Sequence, residues 1–173
     1  MIRGRVWKFG DNINTDLIYP GRYLKSFLPP EEMAKHAMEG LDPNFHKNVQ
    51  PGDIIVAGKN FGCGSSREEA AIALKATKIS GIIAESFARI FFRNAINIGL
   101  PVLECKGITR IVENGDIIEV EFETGLIRNI STGKQIKTTP LPSFMMEIIN
   151  KGGLIAYTKE KLAGKVKLAE GYY

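Results

Sequence analysis

The chain has 173 residues, 44% of them hydrophobic and 24% charged, with a net charge of +4. One globular domain with a sizeable core is the default at this length and composition. The lysines and arginines are spread without a long run, which argues against nucleic-acid binding. They leave a solvated surface, or a basic face for an acidic substrate or partner. No apolar run reaches the length of a membrane helix, and Met1-Ile2-Arg3-Gly4-Arg5 lacks the apolar core of a signal peptide. Cys63 and Cys105 have neither CxxC spacing nor a disulfide framework, so a reducing cytoplasm is the expected setting.

Alternation around Ile2, Val6, Trp7 and Phe9 predicts a first strand. Asp11 to Asp16 read as a polar loop whose side chains cap and turn the backbone. Calcium is rejected there, because the glycine and terminal Glu of an EF-hand are missing. Leu17 to Tyr19 read as a short strand stopped by Pro20-Gly21, and Arg22 to Pro30 as a shaping loop. Glu31 to Met38 reads as a helix entered through Pro29-Pro30, with acids at its positive end. His36 and His46 sit in polar, exposed context without partners at metal-ligand spacing.

Ile54 to Ala57 reads as a buried strand, followed by a glycine turn and an Ala- and Leu-rich helix to Ala76. Ile79 to Ala84 is apolar on both faces, so this stretch predicts a βαβ unit with parallel pairing. Phe87 to Ala95 reads as a helix whose stripe of Phe87, Ile90, Phe91 and Ala95 belongs to the core. Arg89 and Arg93 share another face, where they bind an anion or, more ordinarily, pair with an acid such as Glu85. A strand follows at Val102-Leu103. Ile117 to Phe122, Leu126 to Ile130 and Gln135 to Thr138 form a β-meander. Leu141 to Asn150 is a helix ended by Lys151-Gly152-Gly153. Residues 1–158 therefore read as one domain, and 159–173 as a lysine-rich, frayed tail that could dock on a partner. The sum is α/β: a mixed sheet or barrel with flanking helices.

The stretch Phe61-Gly62-Cys63-Gly64-Ser65-Ser66-Arg67-Glu68-Glu69 joins the buried strand to its helix. Its glycines permit positive φ and close approach of a ligand. Ser65 or Ser66 is the expected N-cap, with Ser66 and Glu69 at capping-box spacing. A helix start beside Arg67 favours an anion, and the guanidinium fork suits a carboxylate. The plainer alternative is an ordinary capped helix. Neither a P-loop nor a dinucleotide fingerprint is present.

Phe61-Gly62-Cys63-Gly64-Ser65-Ser66-Arg67-Glu68 resembles the signature of the small subunits of 3-isopropylmalate dehydratases, which are similar to the mobile C-terminal domain of aconitases. The run from Gly4 to Asp16 resembles that family's opening. Glu85 to Ala95, with Asn97-Ile98-Gly99-Leu100-Pro101, resembles its second signature, and Gly152-Gly153-Leu154 also fits. The resemblance implies a swivelling β/β/α domain and one half of a hydro-lyase of leucine biosynthesis. Such an enzyme dehydrates and rehydrates a hydroxy diacid through an alkene. It also implies a [4Fe-4S] cluster acting as a Lewis acid. Two cysteines fall short of the three or four thiolates required, so the cluster is expected on a separate large subunit and no metal on this chain.

By the same resemblance, Ser65 is the proton-abstracting base, Ser66 and Arg67 hold a substrate carboxylate, and the Asn12-to-Asp16 segment lies beside the active face. Cys63 is then a small packed thiol. Tyr23, Leu24, Lys25 and Ser26 form the specificity loop. In relatives an apolar residue after Tyr-Leu accompanies an isopropyl group, and a basic one an extra carboxylate. Lys25 therefore either binds the third carboxylate of a homoaconitate-type substrate or packs its stem with its ammonium in water. The partners implied are the large subunit and a small di- or tricarboxylate. Homoaconitase and dimethylmalate- or methylmalate-type dehydratases stay open. So do a dicarboxylate-binding regulatory module and a purely structural subunit.

Overall fold

The computed structural model describes the backbone of residues 1–170 and the side-chain surroundings of residues 1–163. Seven strands form one mixed sheet in the order β4-β3-β2-β1-β5-β6-β7. The strands are β1 (Ile2–Lys8), β2 (Ile54–Ala57), β3 (Gly81–Ala84), β4 (Val102–Glu104), β5 (Ile117–Glu121), β6 (Leu126–Asn129) and β7 (Gln135–Lys137). β1 to β4 run parallel, with Val6 opposite Ile54, Ile55 opposite Ile82 and Ile82 opposite Val102. β5, β6 and β7 form the expected meander, and β5 joins it to β1 in antiparallel pairing.

The residue pattern explains the division. β2 and β3 are buried at every position, as strands covered on both faces must be. β5 and β6 alternate half-buried and buried, as strands with one wetter face do. The helix α4 (Glu68–Ala76) links β2 to β3, and α5 (Arg89–Ile98) links β3 to β4. Successive right-handed crossovers moving one way along a sheet lay their helices on the same side, and α4 and α5 do pack on each other. The small side chains of Ala70, Ala71 and Ala73 let α4 lie close to the strands. The turn Ile108–Arg110 packs on β2 and β3.

Several boundaries differ from the sequence expectation. Thr15–Ile18 is a helical turn, α1, not a strand. The Asn14 side chain accepts a hydrogen bond from the Leu17 N–H at 2.9 Å and caps it, and this local bond outweighs a three-residue apolar run. The helix expected to reach Met38 is α-helical only over Pro30–Met33 (α2), then tightens to a 3₁₀ turn at Ala34–His36. The chain is pulled off course because the Met38 N–H bonds Ile18 O at 2.7 Å, with Met38 at φ +58°. After a third short turn, α3 (Phe45–Asn48), the chain enters β2. Near the end, α6 (Ser143–Asn150) and the Gly152-Gly153 turn are as expected. The lysine-rich tail expected from 159 is part of helix α7 (Leu154–Glu170); residues 171–173 lie outside the described residues.

Candidate active site

Four parallel strands point their C-terminal ends at one edge of the sheet, where ligands of such sheets gather. The loops leaving that edge are stitched together. The Gly58 N–H bonds Gly10 O at 3.0 Å, Gly62 N–H bonds Ile13 O at 2.7 Å, and Thr15 N–H bonds Cys63 O at 2.8 Å. On the other side Phe61 N–H bonds Ser86 O at 3.0 Å and Ala88 N–H bonds Phe61 O at 2.8 Å. The three segments that carried the resemblance thus form one surface. Asp11 accepts from the Lys59 N–H at 2.7 Å, a structural use of the polar loop.

Gly62 and Gly64 aim the loop that joins β2 to α4. Gly62 has φ +78°, and a Cβ there would stand 2.2 Å from Phe91 Cγ. Gly64 has φ +96° and lies against Thr15 Oγ1. The chain then presents Ser65 and Ser66 exposed and Arg67 half-buried. Neither serine is the N-cap of α4. That position is Arg67, with no side-chain cap bond, and the expected capping box is absent. The turn that presents Ser65 is held by the Arg67 N–H on Ser65 O at 2.9 Å, so the serines sit one step too early to cap.

The Ser65 hydroxyl instead lies 3.4 Å from that of Thr15, a buried residue. Arg67 reaches across to Asp16 Oδ1 at 2.5 Å and to Tyr19 O at 3.5 Å. The Arg67 bond, with the Gly21 N–H, holds the Asp16 carboxyl below its ordinary value. Arg67 therefore ties the loop before α4 to the start of the 3₁₀ segment Gly21–Ser26. Thr15 and Asp16 were visible in the sequence only as members of a polar loop; nothing in their spacing shows that one meets Ser65 and the other Arg67.

Tyr23 and Leu24, with Tyr19, Met33 and Ile72, line a cavity of about 300 Å³ whose acid is Glu69. Tyr23 is anchored: its hydroxyl donates to both Glu39 carboxylate oxygens at 3.0 and 3.1 Å, and its ring stacks on His36 at 3.8 Å. Burial pushes the Glu39 carboxyl up, but hydrogen bonds from His36 and Tyr23 and the Arg22 charge outweigh it and hold it low. His36 and His46 are half-buried rather than exposed. Lys25 and Ser26 are exposed and do not line the cavity. The structure thus brings together Ser65, Ser66, Arg67 and the start of the Gly21–Ser26 segment, and leaves the Lys25 and Ser26 side chains toward solvent.

Among the described residues, no group of three His, Cys, Asp or Glu could hold a metal ion. Cys105 is buried, and burial pushes its thiol up to about 11, the reverse of a thiolate ligand. Cys63 is half-buried in the loop. These residues do not fit an iron–sulfur cluster held by this chain. No described helix is long and apolar enough to cross a membrane.

A mixed sheet that carries a glycine turn, two exposed serines and an arginine at the C-terminal edge of its parallel strands defines the class. Residues 11–107 match the family model described as the aconitase C-terminal domain. The isopropylmalate/citramalate isomerase small subunit of Methanocaldococcus jannaschii is 60% identical, over 94% of this chain and 96% of that protein. The 3-isopropylmalate dehydratase small subunit of Halothermothrix orenii is 55% identical, over 97% and 99%. A crystal structure of 3-isopropylmalate dehydratase from Methanocaldococcus jannaschii superposes with a TM-score of 0.90 at 46% identity, covering 96% of this chain and 98% of that one. The chain belongs to the family of 3-isopropylmalate dehydratase small subunits.

Proposed function

We propose that this chain is the small subunit of a 3-isopropylmalate dehydratase, a hydro-lyase of leucine biosynthesis active only with its large subunit. The enzyme interconverts 2-isopropylmalate and 3-isopropylmalate by losing water to an alkene and adding it back. The observation that carries the reading is Ser65, exposed on the loop after β2, with its hydroxyl beside that of buried Thr15. Ser65 Oγ takes the proton from the carbon next to the hydroxyl-bearing carbon and returns it in the reverse sense. As no carboxylate or imidazole is hydrogen-bonded to Ser65 among the described residues, its oxyanion form needs other support. The Thr15 hydroxyl supplies one hydrogen bond, and the uncapped start of α4 a positive dipole end.

Ser66 and the remaining donors of Arg67 hold a substrate carboxylate, with Asp16 fixing the guanidinium plane. The [4Fe-4S] cluster belongs to the large subunit in this reading and supplies Lewis-acid chemistry at the substrate hydroxyl. The cavity under Tyr23 and Leu24 supports an alkyl branch. Its walls are mostly apolar, and Glu69 would repel a third carboxylate. Lys25, in water, is then a solvated cation with its stem over the rim.

The test is reconstitution with the large subunit under anaerobic conditions, following alkene absorbance with isopropylmalate, citramalate, homoaconitate and citrate offered separately. Turnover of isopropylmalate is expected, together with a fall of about 10²–10⁴-fold for Ser65→Ala in an intact complex. Near-normal turnover by Ser65→Ala would leave a structural subunit. Diacid binding with no turnover would leave a regulatory module. Turnover confined to tricarboxylates would make Lys25 a carboxylate clamp.

A further inference from the structure

A second concavity, about 520 Å³, opens between α5 and β4. Its floor is apolar, from Phe92, Leu103 and Met145, and three cations ring it: Arg89, Arg93 and Lys106. Among the described residues none of these cations enters an ion pair. The pairing of Arg89 and Arg93 with Glu85 expected from the sequence does not form. Glu85 accepts from the Thr109 hydroxyl instead, and the other acid of the groove, Glu104, accepts from the Phe87 N–H at 3.1 Å. Both acids thus serve the fold while the cations face outward. Ile90, expected in the core stripe, is instead 50% exposed at the start of α5, because the first turn of the helix overhangs the core that Phe91 and Ala95 enter.

The position of the groove decides what fills it. Glu85, Phe87 and Lys106 follow β3 and β4 at the sheet edge that carries the catalytic loop. Phe87 is bridged to Phe61, four residues before Ser65. An edge whose serine works on a substrate shared with another subunit is covered by that subunit during turnover. We infer that the large subunit inserts into this groove a segment with an acidic residue and an apolar side chain, and that Arg89, Arg93 and Lys106 grip it. Desolvated cations are matched there by acids, and the floor receives the apolar side chain. The inference rests on the two-subunit reading above, and assembly is measured separately from turnover so that the two can fail independently.

The experiment titrates the full chain into its cluster-loaded large subunit, reading assembly by sedimentation and turnover with isopropylmalate. The double variant R89E/R93E is expected to raise the apparent subunit Kd at least about tenfold, an effect weakened by salt. At saturating small subunit it should restore wild-type kcat, with an unchanged circular dichroism spectrum. R89K/R93K should assemble nearly as the wild type. Should the double variant fold poorly, Lys106→Glu probes the same groove from a different loop. Wild-type assembly by both charge reversals would overturn the inference, as would intact assembly with lost kcat. Isopropylmalate binding to the isolated chain with shifts at the Met145 methyl would overturn it too, by making the groove a small-molecule site.

Discussion

At the scale of single residues, the site depends on two hydroxyls of unequal exposure. Thr15 is buried and its backbone N–H is held by the Cys63 carbonyl, whereas Ser65 is exposed. Thr15→Val keeps the shape and removes the hydrogen bond. It should lower kcat about tenfold, as one net hydrogen bond of about 1.4 kcal/mol does, while leaving KM and assembly unchanged. Steady-state kinetics of the complex checks this. Gly62 is the second such residue. An alanine there combines a left-handed backbone with overlap against Phe91, at a cost of about 3 kcal/mol. Thermal unfolding of Gly62→Ala should therefore fall by about 10 °C. The crowding of glycines, hydroxyls and a guanidinium at one strand-to-helix junction was legible in the sequence and made Ser65, Ser66 and Arg67 the candidates. Their supports were not, since Thr15 and Asp16 lie some fifty residues earlier in the chain.

At the scale of elements, the 3₁₀ segment Gly21–Ser26 is held at one end by Arg67 and in the middle by Tyr23 on Glu39. Past that anchor Phe27 adopts φ +45° and is 93% exposed. Tyr23→Phe removes one O–H donor shared between the two oxygens of a carboxylate, worth about 2 kcal/mol. Faster amide exchange confined to residues 21–26 is expected, with a higher KM and little change in kcat. Uniform protection would show that Arg67 alone holds the loop. Element types at the long, patterned stretches were legible: the βαβ unit, the meander and the Leu141-to-Asn150 helix. Short pieces were not. Phe87 and Ala88 were read into a helix by their apolar spacing, but backbone bonds to Phe61 on either side hold this stretch out of the helix and α5 starts only at Arg89. α7 has no strong apolar stripe to betray it.

At the scale of the whole molecule, the buried carboxylate of Asp53 ties β1 to the entry of β2. It accepts from Arg5 at 2.7 Å, the Trp7 indole N–H at 2.7 Å and the Gln50 N–H at 2.9 Å. Burial raises its pKa, yet these donors outweigh burial and hold it below the ordinary 3.8. Asp116 is also low, through the Glu113 N–H and Asn129, and Asp16 through Arg67. A carboxyl lowered by folding stabilises the fold fully above its unfolded pKa. That contribution disappears as pH falls through the lower folded value. The protein should hold constant stability from pH 7 to about 5 and lose it progressively below about 4. Asp53→Asn should cost about 3 kcal/mol at pH 7 by leaving Arg5 badly matched, and its stability should approach that of the wild type only as pH falls through the lowered folded value of Asp53. Urea unfolding across that range reads both.

The sequence by itself determined the α/β class, the strand-turn-helix at the centre and the loop that carries Ser65. These follow from local causes: periodicity, glycine backbone freedom and residue chemistry along a few adjacent positions. Tertiary structure decided that Thr15 meets Ser65, that Arg67 locks onto Asp16, and that Arg89 and Arg93 are left without Glu85. Those outcomes depend on how parallel strands bring the ends of distant segments to one edge, and no neighbouring residues encode that register.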